Sequence, residues 1–432
     1  MASPERLPGY GINYDNYPFK DTLDWFVHVR SPADAFAAQP SYLLSEYTFY
    51  VIGLLTLVHS FIVGGRWKYL WLGCVFHGIT TELVCFALPD IDNYWHSQTT
   101  VMLVGRRLPL HIPLIYPSFM YPAAYAVAHL RLPRWAEPMA AGLVEVLVDL
   151  PYDIVAVKFL HWTWHDTDPS IYDRHYSVPW NSYYFHLTFG TAFTFAIHFW
   201  RRKITGNDDK SRSSGFIKET LCALLAGLCG MPGGVLQFIF LYHPLHDNYL
   251  IHTENCFFFI VVLYILIVWT ADRSPVLASR RQKGESSHWS VYLLVVGLVL
   301  HYSLYLGLTI AASPENEVSI GLHETVGACD KTSDVNTAFG AVLKKRTYLC
   351  ASDYDEPYFD FHCAPGGSPP PASSSWYTIC GTHFANRAEY ISMLTGICVA
   401  AIFVFYNMLF NSAGTLISKK QLKYTNDKKK RS

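Results

Sequence analysis

Residues 289–312 read Trp289-Ser-Val-Tyr-Leu-Leu-Val-Val-Gly-Leu-Val-Leu-His-Tyr-Ser-Leu-Tyr-Leu-Gly-Leu-Thr-Ile-Ala-Ala312, with no Asp, Glu, Lys or Arg. About 20 such residues, wound as a helix, cross a hydrocarbon layer roughly 30 Å thick. A lipid-facing backbone must satisfy its own N–H and C=O groups, so the run is a helix and not an isolated strand. Eight more apolar runs of similar length lie near 45–63, 69–88, 109–130, 136–157, 181–199, 217–241, 250–270 and 390–411. The expected fold class is all-α: a polytopic integral membrane protein with about nine transmembrane helices. Gly-Met-Pro-Gly-Gly at 230–234 is expected to kink or break the sixth helix.

Composition agrees. Hydrophobic types make up 51% of the 432 residues and charged types 16%, against about 25% charged in soluble domains. A net charge of −1 gives no footprint for a nucleic-acid partner. Lys and Arg set the expected orientation. With the C-terminus cytoplasmic, segments 64–68, 131–135, 200–216, 271–288 and 412–432, together with Lys218, hold 21 of the 33 Lys and Arg residues. Such a bias marks the inner side. The expected organisation is a polar arm at 1–44 without an apolar signal-peptide core, eight helices within 45–312, an outer segment at 313–389, a ninth helix at 390–411 and a basic tail at 412–432. The endoplasmic reticulum or the plasma membrane is the expected location. The ending Lys429-Lys430-Arg431-Ser432 reads either as a topological anchor or as a retrieval signal.

Ten cysteines divide into two groups. Cys74, Cys85, Cys222, Cys229, Cys256 and Cys398 sit in apolar runs, whereas Cys329, Cys350, Cys363 and Cys380 share one long polar segment. The second group predicts two disulfides in an oxidising compartment, with three connectivities open. Ser368–Ser375, rich in Pro and Ser, is expected to be a flexible tip.

Ionisable groups inside a membrane span are costly and mark candidate sites. The second helix carries His77, Thr80, Thr81 and Glu82; the fourth carries Glu145, Asp149 and Asp153; His186 and His301 lie in the fifth and eighth. A spacing of four puts neighbours on one helical face. Such carboxyl groups serve either as helix-packing glue or as an acid–base pair acting on a lipid, one protonated and one ionised. Metal-assisted hydrolysis ranks third: His161-x-x-x-His165 and His243-x-x-His246 have usable spacings, but no H-E-x-x-H or dense histidine box is present. No metal or other cofactor is expected. Glu82 and Asp149 lie at matched depth in the outward halves of their spans and are expected to share a cavity, with Asp153 at its rim. No P-loop, dinucleotide fingerprint, nucleophile elbow or Asn-x-Ser/Thr sequon occurs.

Three blocks between about 70 and 200 go further: His77-Gly-Ile-Thr-Thr-Glu-Leu with Asp92-Asn-Tyr-Trp; Arg107-Leu-Pro-Leu-His-Ile-Pro-Leu with Met120-Tyr-Pro; and Asp149-Leu-Pro-Tyr-Asp-Ile-Val-Ala-Val-Lys with His161-Trp-Thr-Trp and Tyr176-Ser-Val-Pro-Trp-Asn-Ser. They resemble the membrane-bound carotenoid hydratases of the bacterioruberin type. Ile154 stands where that family usually has Pro, and Ser177 where it has Gly. The resemblance covers under a third of the chain. It implies a helical cavity for a long isoprenoid or lipid, with Glu82, Asp149 and Asp153 as its polar groups and His77, His161, Trp162, Trp164 and Asn181 as substrate contacts. The expected function is binding or modifying a long-chain lipid or isoprenoid in the bilayer. A non-enzymatic transporter, receptor or scaffold is the alternative.

Overall fold

The computed structural model describes residues 10–164, 167–207, 209–272, 289–354 and 356–411. Long helices occupy all nine apolar runs: α1 Pro40–Val63, α2 Trp67–Ala87, α3 Ile112–Ala128, α4 Glu137–Lys158, α5 Trp180–Trp200, α6 Phe216–Leu241, α7 Thr253–Asp272, α8 Val291–Ala311 and α9 Arg387–Tyr406. Helix α1 starts five residues before the expected boundary, because Pro40 presets φ at a position whose N–H needs no partner. Of the expected kink or break at 230–234, the break does not occur: helix α6 runs continuously through Pro232.

Among the described residues, six helices are long and apolar enough to cross a membrane by length and composition. They are α1, α2, α6 extended to Asn248, α7, α8 and α9 extended to Asn411. Helices α3, which has only 17 residues, α4 and α5 are not among them, and all three are heavily buried. Of the 17 residues of α3, 15 are buried; α4 buries 18 of 22 and α5 15 of 21. By contrast α7 buries only 6 of 20. The three middle helices face other helices and can carry polar side chains; the outer ones present apolar surface. Close packing inside depends on small residues, as helix interfaces in membranes do. Gly142 on α4 lies against the Leu187 carbonyl of α5, and Gly190 on α5 leaves the space that the Glu145 carboxyl group fills.

The loops expected to share one side meet at one end of the bundle. Arg66, His198 and Lys210 converge on Glu137, and Arg201 grips Glu219 with two hydrogen bonds of 2.9 and 3.1 Å. Residues 273–288 and 412–432, which hold the basic residues of the fourth segment and the basic tail, lie outside the described residues, as do His165 and Asp166.

A cap closes the opposite end, and here the chain is not all-α. Val318–Leu322 and Phe359–Asp360 flank Trp376–Gly381 in an antiparallel sheet, Thr332–Asn336 pairs with Val342–Arg346, and Tyr94–His96 pairs with Trp162–Trp164. Aromatic and β-branched residues such as those of Trp376-Tyr-Thr-Ile suit a pleated surface. Disulfides join Cys329 to Cys350 and Cys363 to Cys380, the sequential connectivity; the six other cysteines are free. The stretch Ser368–Ser375 is not a loose tip. Tyr10 Oη donates to the Ser368 carbonyl, Ser373 N to that of Val326, and Ser375 N to that of Ile12. The polar arm is part of the cap: Ile12 forms an antiparallel bridge to Trp376.

Candidate active site

Glu145, Asp149 and Asp153 succeed one another along one face of α4, one turn apart. Across the interface, α5 presents Ser182 and His186 at the same spacing. The His186 Nε2 atom stands 3.1 Å from Asp149 Oδ1, and its Nδ1 stands 3.6 Å from Glu145 Oε1. The Ser182 hydroxyl donates to Asp153 Oδ2 at 2.6 Å. One donor atom from each of Asp149, Asp153 and His186 lies within 4.8 Å of the other two. Both aspartates are fully buried. Neither Asp149 oxygen, nor Asp153 Oδ1, has a hydrogen bond of proper direction.

Pro151 lies between the two aspartates and lacks the N–H that would bond the Leu147 carbonyl. Helix α8 supplies the replacement: Tyr302 Oη donates to the Leu147 carbonyl at 3.1 Å, and His301 Nε2 reaches that of Val148 at 2.7 Å. The intramembrane His301 is thereby explained by packing, and the turn that holds Asp149 and Asp153 stays helical.

Glu82 has a different set of partners. Tyr116 Oη donates to it at 3.0 Å, Tyr94 Oη at 3.1 Å, and His96 Nε2 lies 3.3 Å away. The structure therefore brings Asp149 and Asp153 together and joins them to Glu145 and His186, while Glu82 sits in its own knot of tyrosines. Trp162 connects the two regions. Its ring stacks on His96 at 6.3 Å and on Tyr152 of α4 at 6.1 Å, and Trp164 packs on Trp162 at 5.0 Å.

The remaining sequence candidates are scattered. His77 is buried between α2 and α6, with Nδ1 3.4 Å from the Gly227 carbonyl. His161 Nε2 meets Ser41 Oγ at 3.0 Å under the stacked ring of Tyr42, and burial holds its imidazole down to about 3, so it is neutral. Asn181 Nδ2 donates to the Ser170 carbonyl. His243 and His246 both turn Nδ1 toward Asp247, at 2.6 and 2.8 Å, and not toward a common point. Clefts elsewhere include one between α1, α3 and α8, near Thr56, Ser118 and His301, and one in the cap, walled by Trp95, Trp164, Phe359 and Tyr377 with Glu324 and Glu356. Sequence reasoning noted His186 and Glu145 without assigning them to the site. Ser182, one turn before His186, was the available signal.

A family model described as a domain of unknown function, DUF7802, matches residues 16–410. The chain belongs to the DUF7802 family. The match runs from within the arm through α9. No curated protein and no solved structure matches the chain.

Proposed function

We propose that this DUF7802 protein is a nine-span membrane protein that modifies a long-chain lipid or isoprenoid by acid–base chemistry at Asp149 and Asp153. The observation that carries the reading is their convergence with Glu145 and His186 in a buried site between α4 and α5. Two carboxyl groups this close in a low-dielectric interior do not both hold a charge without a counter-ion. One shared proton makes one of them an acid and the other a base, the pairing that protonating an alkene and activating a water requires. His186, whose side chain is 23% exposed, is the group that would exchange protons with the surroundings.

The topology supports this reading. The basic loops 64–68, 131–135 and 200–216 meet at one end, and the disulfide-tied cap is at the other. That arrangement fits a cytoplasmic C-terminus and an outer cap, in the endoplasmic reticulum or the plasma membrane. The largely buried α3, α4 and α5 then cross within a sleeve of the more exposed helices. Likeness to the carotenoid hydratases favours an isoprenoid, with Glu82, Trp162 and Trp164 beside its chain.

Lipidomics on the purified protein, followed by turnover in liposomes of the lipids recovered, tests the proposal. Asp149→Asn should abolish turnover while the unfolding midpoint stays near that of the parent. A parent protein that converts none of its bound lipids, with Asp149→Asn and Asp153→Asn merely unfolding, would leave a scaffold or transporter with carboxyl groups as helix glue.

A further inference from the structure

We propose that Asp149, Asp153 and His186 bind one divalent transition-metal ion, with Glu145 as the carboxylate behind the histidine. This inference rests on reading the cluster as a working site; with the ion bound, both aspartates are ionised ligands, so the metal takes the place of the proton they would otherwise share.

Three of the chain's other buried carboxylates, Glu46, Glu82 and Glu219, show what structural glue looks like here. Glu46 accepts from the Thr100 hydroxyl at 2.5 Å, the Thr100 N–H at 3.3 Å, Tyr50 Oη at 2.9 Å and the Thr99 hydroxyl. Glu82 has two tyrosine hydroxyls and a histidine, and Glu219 has the Arg201 guanidinium. Asp149 is as deeply buried as any of these, yet both its oxygens lack a directed donor, as does Asp153 Oδ1. A buried carboxyl oxygen without a well-directed donor is expensive in either protonation state. Mutual proton sharing would satisfy at most one bond of the set. A cation at the point where the three side chains converge would engage one oxygen of each aspartate and the imidazole at once.

The surroundings have the form of a metal site. Ligands about 2.0–2.2 Å from a zinc-sized ion stand roughly 3–4 Å apart. The donor atoms here already lie within 4.8 Å of one another, so small side-chain rotations close the set. A metal-bound histidine usually turns its second ring nitrogen to a carboxylate or carbonyl, which fixes the ring. With Nε2 facing Asp149, His186 turns Nδ1 toward Glu145 Oε1 at 3.6 Å, and Gly190 makes the room for that carboxyl group. Ser182 holds the outer oxygen of Asp153 and leaves Oδ1 free to ligate. One imidazole with two carboxylates is a borderline donor set, suited to Zn²⁺, Mn²⁺ or Fe²⁺. Three protein ligands leave a position open for water or substrate.

The test uses the full chain in detergent. Bound Zn, Mn and Fe are counted by mass spectrometry. Protein stripped with chelator is then titrated with Co²⁺ and followed by visible absorption. Uptake near one Co²⁺ per chain is expected, with ligand-field bands of mixed nitrogen and oxygen coordination. Asp149→Asn and His186→Gln should each lower occupancy at least tenfold. Glu145→Gln should weaken affinity by roughly 10–100-fold, as loss of a supporting partner does. His383→Ala, at an 83% exposed side chain, should change nothing. Wild-type protein that holds no metal as purified and shows no Co²⁺ bands at millimolar metal overturns the proposal. So does binding that persists in both Asp149→Asn and His186→Gln. Because uptake is read on the wild type, an unfolded variant cannot rescue the idea. No metal with Asp149-dependent lipid turnover removes the ion and keeps the carboxyl pair; metal without turnover does the reverse.

Discussion

Gly142 is where α4 and α5 come closest, and replacing it by Ala tests the packing on which the whole site depends. A Cβ at this position would run into the Leu187 carbonyl oxygen and Thr191 Oγ1, with the Leu187 carbonyl carbon 3.2 Å away. Those two oxygens are already joined by a 2.8 Å hydrogen bond, and one of them is backbone. Neither yields alone, so the helices must part. Overpacking of this kind costs about 1–3 kcal/mol, and a rigid obstacle puts it in the upper part of that range. Ala gains about 1 kcal/mol over Gly in helix propensity, which leaves a net loss of roughly 1–2 kcal/mol. Gly396 on α9 is the matched control: a Cβ there meets nothing within 4 Å, so Gly396→Ala should gain up to about 1 kcal/mol. The two midpoints, read by thermal or detergent-driven unfolding, should move in opposite directions and differ by roughly 2–3 kcal/mol. Gly142 lies about 10 Å along the helix from Asp149, so the loosened variant should also lose function at the site. A Gly142→Ala protein as stable as Gly396→Ala would refute the close contact between α4 and α5.

Three further outcomes follow from the cap and the opposite end. Burial raises Glu317 to about 8 from 4.5, against hydrogen bonding from Ser41. Its native form therefore holds a proton that the unfolded chain has released. The stability this contributes is complete below about pH 4.5 and is lost as pH rises through 8, at up to about 1.4 kcal/mol per unit; Glu317→Gln should flatten that part of a thermal-stability profile. Arg201→Met strands the buried Glu219 charge and should cost about 3–5 kcal/mol, most of it recovered when Glu219 is also made apolar, as measured by a double-mutant cycle. Alkylation mapping should find Cys329, Cys350, Cys363 and Cys380 blocked until reduction, and opening either bridge, across separations of 21 and 17 residues, should cost about 3 kcal/mol; full alkylation of all four without reductant refutes the pairing.

The helices were legible because length and apolarity are local properties, and a run such as 289–312 has few other ways to fold. The cap was not. Strands such as Trp376–Gly381 take their stability from partners far along the chain, such as Val318 opposite Cys380, and nothing local distinguishes them from loop. Nor did the sequence reveal that α3, α4 and α5 occupy the middle, since their polar residues reflect which helices surround them. Within the site, the spacing of Glu145, Asp149 and Asp153 was readable from one helix alone. The pairing with His186 was not, because it depends on how two helices rotate against each other. The same holds for Glu82: position along a span fixes depth, whereas the direction in which a side chain points is set by packing, and Glu82 points at Tyr94 and Tyr116.

The bridge between Ile12 and Trp376 also sets a clock. A chain is made from its N-terminus at roughly 5–20 residues per second, so the arm must wait roughly 20–70 s before the strand that receives it exists. Throughout that interval Tyr14 and Tyr17, which finally pack against Trp376 at 6.1 and 4.5 Å, have no such surface. Assembly of this cap is thus a late event in biosynthesis, and a nascent chain stalled before residue 376 would display its arm unprotected to proteases and chaperones.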